Sequence, residues 1–407
     1  MITATSVQPG SFLAIVVATA VAGIIASMLR LRTIAVPVVV LELVFGVILG
    51  PHVLGLKVTP FIAFFGNVGL GLLFFFAGYE IDVNRIRGAP LELALAGWAM
   101  SLAIAYAVGG ALAAAGVVLS LVYTGSALVS TALGMLIPIL SDAGELRTKL
   151  GTYLTAAGAV GEFGPILLLT LVLSAQSTLH NGVILLAFVL TAVVVALLAL
   201  RSSEHTLPLF ASTLETSSQL AVRTILVLVF ALAALAYELG LDLVLGGFAA
   251  GLITRQLLKE RELPVFDSKL KAVGFGVFIP FFFVVSGMKL DISALAHPSG
   301  IEKLVLFFFL FLVVRGTPAL LLYRKVLDRR QRIALALLSS AQLPMVVAIV
   351  DVAVSSGHMR GSTAAALVGA AAISTLVYPI LGLRVNASRA RPAQQPEIDS
   401  GSDPHPA

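Results

Sequence analysis

The chain has 407 residues, of which 59% are hydrophobic and 12% charged, and its mean hydropathy is +1.04; a soluble domain carries roughly 25% charged residues, so a water-soluble globular fold is excluded. Cysteine is absent, which removes disulfides, thiolate metal sites and cysteine nucleophiles. In a chain this apolar, the net charge of +5 points to basic loops beside a membrane rather than to nucleic-acid binding.

Apolar runs of about 18 or more residues recur along nearly the whole chain, each long enough to cross a hydrocarbon layer about 30 Å thick as a helix. The first, Phe12 to Met28, has no basic residue before it and is followed by Arg30 and Arg32. That is the reverse of a secretory signal's charge layout, so the segment reads as a retained membrane helix. Breaking the chain at its charged and Gly/Pro clusters predicts about thirteen spans. In the first half they run over 11–29, 35–50, 61–79, 90–116, 120–141, 149–174 and 181–200. In the second half they run over 219–237, 240–254, 272–288, 302–323, 332–353 and 363–383.

Basic residues test this alternation. Lys57, Lys289, Lys303 and Arg360 fall on one side, Arg315 falls within a span, and every other Lys and Arg falls on the opposite side. The positive-inside rule therefore predicts an odd number of helices with the N-terminus outside and the C-terminus inside, in a cell's inner (plasma) membrane. The expected fold class is an all-α polytopic membrane protein over residues 1–386. Residues 387–407, polar and rich in Pro, Ser, Asp and Gln, are expected to form a disordered cytoplasmic tail.

An ionisable side chain near the bilayer centre costs about 3 kcal/mol or more, so it is expected to face protein or water and to have a function. Glu162 lies near the middle of the sixth span among small residues, in Ala156-Ala-Gly-Ala-Val-Gly-Glu-Phe-Gly-Pro165, and is the leading candidate for an ion site. Arg315 interrupts an apolar run too far from either end to snorkel. It needs an anionic partner, either Glu162 or the carbonyl end of a broken helix, and being always protonated it is a fixed countercharge. Glu42, in the second span, is a secondary candidate. Glu80, Asp82, Glu238, Asp242 and Asp351 fall at predicted helix ends and read as interfacial. The six histidines fall in predicted loops or the tail, so no metal-ligand cluster, transition metal or cofactor is expected.

Two spans carry helix-breaking signals. In Gly125-Ser-Ala-Leu-Val-Ser-Thr-Ala-Leu-Gly-Met-Leu-Ile-Pro138, Pro138 is expected to free the carbonyl of Gly134; in Ser339-Ser-Ala-Gln-Leu-Pro344, Pro344 is expected to free that of Ser340. A hydroxyl pair precedes each proline, Ser130 and Thr131 in one case, Ser339 and Ser340 in the other. Irregular backbone at membrane depth persists only where protein or water covers it. The two segments lie seven spans apart, which implies inverted repeats, and crossed discontinuous helices form midplane ion sites in secondary transporters. Spacing such as Gly247 to Gly251 reads as close helix packing.

Ser130 to Gly151 closely resembles the fifth-helix segment of the monovalent cation:proton antiporter-2 family. Pro37 to Pro51, Leu70 to Asp82 with its Gly-x-Glu-x-Asp ending, Leu239 to Gly251 and Pro280 to Asp291 resemble four further segments of that family in the same order. The resemblance covers about residues 10 to 385. It implies a homodimer in which a core with crossed broken helices moves against a dimerisation domain. It also implies exchange of Na+ or K+ for H+, with Ser130 and Thr131 lining the ion path, Glu162 as the essential acid and Arg315 as the basic residue of a later helix. Many members carry a carboxamide or second carboxylate directly before the acid; here Gly161 stands there, which implies one-for-one exchange. Two rivals are a cation channel and an ion-coupled symporter of the same fold. An intramembrane enzyme ranks last, since the sequence holds no HExxH or GxSxG.

Overall fold

The computed structural model describes residues 9–31, 36–81, 86–173, 178–213, 218–241, 243–258, 263–290 and 292–387. In chain order its α-helices are α1 (Pro9–Leu31), α2 (Val38–Leu49), α3 (Pro60–Tyr79), α4 (Ala89–Ala114), α5 (Leu121–Leu128), α6 (Leu133–Asp142), α7 (Lys149–Leu173) and α8 (Thr178–Thr213). There follow α9 (Leu220–Glu238), α10 (Leu243–Leu257), α11 (Leu263–Val273), α12 (Ile279–Lys289), α13 (Pro298–Leu322), α14 (Arg329–Ser339), α15 (Leu343–Ser355) and α16 (Gly361–Ala387). Among the described residues nine spans are long and apolar enough to cross a membrane by themselves. This is a multi-pass, all-helical membrane fold.

Local sequence explains the helix ends. Thr59 caps α3 by accepting from the Ile62 N–H at 3.3 Å, with Pro60 opening the helix where a missing N–H costs nothing. Asp328 and Gln331 form a reciprocal capping box on α14, at 2.8 and 3.2 Å. α11 continues into α12 through a π-helical turn, Gly274–Phe278, just ahead of Pro280. α8 runs well past its expected limits of 181–200 and so takes in His180 and His205, which the sequence reading had placed in loops.

The helices form two bundles. In one, α1, α2, α3, α9, α10, α11 and α12 pack among themselves; in the other, α4 to α7 pack with α13 to α16; α8 touches α7, α9 and α10. Backbone-to-backbone contact sets the first bundle. A Cβ on Gly247 would strike the Gly71 carbonyl and one on Gly251 the Phe75 carbonyl, so α10 lies directly on α3. Burial separates centre from rim. Of the α14–α15 span, 89% is buried, against 6% of Gly182–Arg201 in α8, which is apolar all round. The interrupted helix thus sits in the protein's middle, where its freed backbone groups are covered.

Candidate functional site

The two interruptions cross each other. Between α5 and α6 the chain runs non-helically through Ser130 to Ala132, and between α14 and α15 through Ala341 and Gln342. The Ala132 N–H donates to the Ala341 carbonyl at 2.8 Å, joining the breaks backbone to backbone, and the Thr131 N–H donates to the Gly161 carbonyl of α7 at 3.1 Å. Gln342 fills the gap from the other side: its Nε2 donates to the Leu128 carbonyl at 3.2 Å, while its Oε1 accepts from Ser130 Oγ at 3.4 Å. Orphan carbonyls left at the ends of α5 and α14 are thereby satisfied within the crossing.

The break before α6 lies at Ser130–Ala132, and Pro138 stands well inside that helix, so the expectation that Pro138 breaks it is corrected. A proline removes one N–H and the helix continues beyond it, whereas the residues at the real break find better partners across the crossing than along their own axis. Pro344 does mark the other break, at the start of α15, and Ser339 and Ser340 lie at the end of α14, both bonding back to the Ala336 carbonyl.

Glu162 reaches this crossing from α7. It is 4% exposed. The backbone N–H groups of Leu133 and Gly134, the first two residues of α6, approach its carboxylate as donors, while its Oε2 is buried without a partner. A half-helix N-terminus carries about +0.5 of a charge, enough to favour an anion there without neutralising it.

Arg315 is 5% exposed and also reaches the crossing, but it makes no ion pair with Glu162. Its Nε donates to Thr131 Oγ1 at 2.9 Å, one terminal nitrogen to the Ala157 carbonyl at 3.0 Å and the other to Ser101 Oγ at 3.4 Å. Thr131 Oγ1 in turn donates to the Ser339 carbonyl at 2.8 Å, and Ser101 Oγ to Val314 at 2.9 Å. The cavity beside the guanidinium is only about 10 Å3, room for at most one water. The guanidinium therefore ties α13 to α7 and to the first break through neutral acceptors.

Ser130 and Thr131 are fully buried; the Ser130 hydroxyl proton is shared between the Ala127 carbonyl at 2.9 Å and Gln342 Oε1 at 3.4 Å, and that of Thr131 goes to the Ser339 carbonyl. Glu42 is buried on α2 with a free Oε2, but α2 belongs to the other bundle, so the structure separates it from the crossing. Sequence reasoning passed over Gln342 and Ser101, which have no charge to draw attention in an apolar run. It also read Glu80 as interfacial, although its Oε2 is buried beside α6. Asp82 and Asp242 lie outside the described residues. Among the described residues no group of three metal-ligating side chains gathers.

This architecture is similar to that of the solved sodium proton antiporter MjNhaP1 from Methanocaldococcus jannaschii, with a TM-score of 0.64 over 93% of this chain and 96% of that one, at 15% identity. In sequence the chain is 25% identical over 386 residues to YjbQ of Bacillus subtilis, covering 90% of this chain and 61% of that one. It is 27% identical over 274 residues to the Na(+)/H(+)-K(+) antiporter GerN of Bacillus cereus, 64% of this chain and 67% of that one. It is 28% identical over 391 residues to Cation/H(+) antiporter 17 of Arabidopsis thaliana, of which it spans 46%. The model of the sodium/hydrogen exchanger transmembrane family matches residues 16–383. With that match running through both interrupted helices, the chain belongs to the sodium/hydrogen exchanger family, which places it among membrane transporters and not among enzymes.

Proposed function

We propose that the chain exchanges a monovalent cation, Na+ or K+, for H+ by competition at Glu162. The observation that carries this reading is the buried carboxylate with one unpartnered oxygen, held at the N-terminus of α6 where two interrupted helices cross. Ionised, it calls for a cation to replace its lost hydration; protonated, it is neutral and needs none. One site that holds either species but not both couples the two fluxes without a second gate. The Ser130 and Thr131 oxygens lie on the same stretch and complete the ion's path.

An empty, ionised Glu162 is too costly to carry across, so only loaded states move. The bundle of α4 to α7 and α13 to α16 shifts past the other, and the seam between them is suited to sliding. Phe163 stacks on Phe248 with ring centres 4.4 Å apart, beside an apolar cavity of about 280 Å3 between α7, α8 and α10. A homodimer formed through the other bundle would hold it still, and the basic ends of the helices face the cytoplasm. With Gly161 in place of a second acid and Arg315 permanently charged, one positive charge exchanges for one. Relatives named as Na+/H+ antiporters support Na+, and GerN's name supports K+ as well.

The test is cation-driven proton flux in proteoliposomes, with Na+, K+ and Li+ in parallel, for the wild type and Glu162→Gln. The variant abolishes coupled flux on this account; cation-dependent proton flux that survives it refutes the assignment. Conductance without proton movement would instead mark a channel.

A further inference from the structure

A second buried carboxylate lies against the same helix end. Glu80 follows α3 directly, at the end of the fold where Arg255 and Lys271 lie near it. The residue is partly exposed, yet its Oε2 is buried and has no hydrogen-bond partner. It lies 3.5 Å from where a Cβ on Gly134 would stand. Gly134 is also one of the two residues whose N–H groups face Glu162. Two unpartnered carboxylate oxygens therefore flank one glycine, and the two charges act on each other.

Like charges that share a buried space repel unless a proton or a cation lies between them. The nearby basic groups act on Glu80 through their charge but do not bond its buried oxygen. Lys271 pairs with Asp267 at 2.9 Å, and Arg255 lies over the Tyr79 ring, 5.9 Å from its centre. With no side chain, Gly134 places only its backbone between the buried Glu80 oxygen and the α6 terminus. The two acids also belong to different bodies, Glu80 to the bundle of α3 and Glu162 to that of α7.

We propose that Glu80 is a second ligand for the exchanged cation at the basic-end opening, fixed on the still bundle and in contact with the ion only while Glu162 faces that side. This rests on Glu162 being the exchange site. Since Glu80 does not travel, it adds no charge to the moving core and leaves one-for-one exchange intact. It makes the two openings unequal: the cation meets two carboxylates on the basic side and one on the other. Glu80 thereby sets the affinity from one side alone.

The experiment is Na+-driven proton flux in right-side-out and inside-out vesicles, which present opposite openings, with Glu80→Gln, Glu80→Asp and Gly134→Ala. A methyl on Gly134 makes ordinary contact with Glu80 Oε2 at 3.5 Å, so that variant folds while narrowing the interval. Glu80→Gln is expected to raise the KM for Na+ about tenfold at the basic-side opening and leave the other unchanged, with Glu80→Asp partly restoring it and Gly134→Ala also raising it at the basic-side opening. Equal KM changes at both openings, or none at the basic side in either Glu80→Gln or Gly134→Ala, overturn the proposal. Loss of all coupled flux in Glu162→Gln, with Glu80→Gln still active, keeps the two assignments separate.

Discussion

The guanidinium of Arg315 occupies the space that a side chain on Gly161 would take: a Cβ there would stand 2.7 Å from a terminal nitrogen of Arg315 and 2.8 Å from Thr131 Oγ1. The absent side chain of Gly161 thus leaves the room in which the Arg315 guanidinium lies against α7. Gly161→Ala forces the guanidinium or the Thr131 loop to move, and overpacking of this kind costs about 1–3 kcal/mol. The expected outcome is a lower melting temperature in detergent and at least a tenfold loss of exchange rate; unchanged values for both would show that the contact relaxes freely.

Because Arg315 bonds to neutral acceptors, its removal leaves no orphaned anion. Breaking a buried ion pair costs about 3–5 kcal/mol because it strands a buried charge, whereas Arg315→Met removes the charge itself and leaves only neutral acceptors. Arg315→Met is therefore expected to destabilise by at least the worth of one hydrogen bond to a charged group, about 1.5–3 kcal/mol, by denaturant or thermal titration. Arg315→Lys recovers only part of it, since a single ammonium cannot reach Thr131, Ala157 and Ser101 with the guanidinium's fork geometry.

Much of this arrangement was legible in the sequence, for a physical reason. A charge inside an apolar run is expensive, so Glu162 and Arg315 stood out, and hydroxyl pairs before prolines marked both irregular segments. What could not be read was tertiary. Pro138 gave a break signal in a segment whose real break is fixed by the partner loop, through Ala132 and Ala341. The partner of Arg315 was open between an acid and carbonyls, and only the packing of α13 on α7 decides for Thr131, Ala157 and Ser101. Glu80 sits where a chain position implies an interface, yet α6 covers its carboxyl. Glu42 looked as unusual as Glu162 and ended in the other bundle.

Glu80 gives a side-specific pH dependence. Burial pushes its carboxyl well above the ordinary carboxylate range; Lys271 and Arg255 oppose this, while the charges of Glu162 and Asp267 add to it. A raised value means that protonation, and loss of a cation ligand, begins at higher pH than for a solvated glutamate. The KM for Na+ should therefore climb more steeply at the basic-side opening than at the other as pH falls, and Glu80→Gln should remove that excess. Lys271→Met removes an opposing charge and should shift it to higher pH; a shift the other way would contradict the electrostatics.

At the opposite end, Lys289 of α12 and Asp351 of α15 join the bundles through paired contacts of 2.9 and 3.0 Å. They line a cavity of about 320 Å3 that also includes Ser286 and Val347. The side chains are 40% and 33% exposed, so the pair adds about 0.2–1 kcal/mol at most. Lys289→Ala should leave the melting temperature nearly unchanged but open that end more often. Since the chain lacks native cysteine, labelling of Ser286→Cys reads this directly. Several-fold faster labelling is expected in Lys289→Ala, with recovery in the charge-swapped Lys289→Asp, Asp351→Lys chain; equal rates throughout would deny the pair any latching role.

The central claim is that proton and cation exclude each other at one carboxylate, and the dependence of exchange rate on Na+ concentration at a series of pH values tests it most directly. Competition predicts a common maximal rate at every pH on the acid side, with the KM for Na+ rising about tenfold for each unit of pH lowered. A maximal rate that falls with acidity while KM stays constant would contradict a shared site.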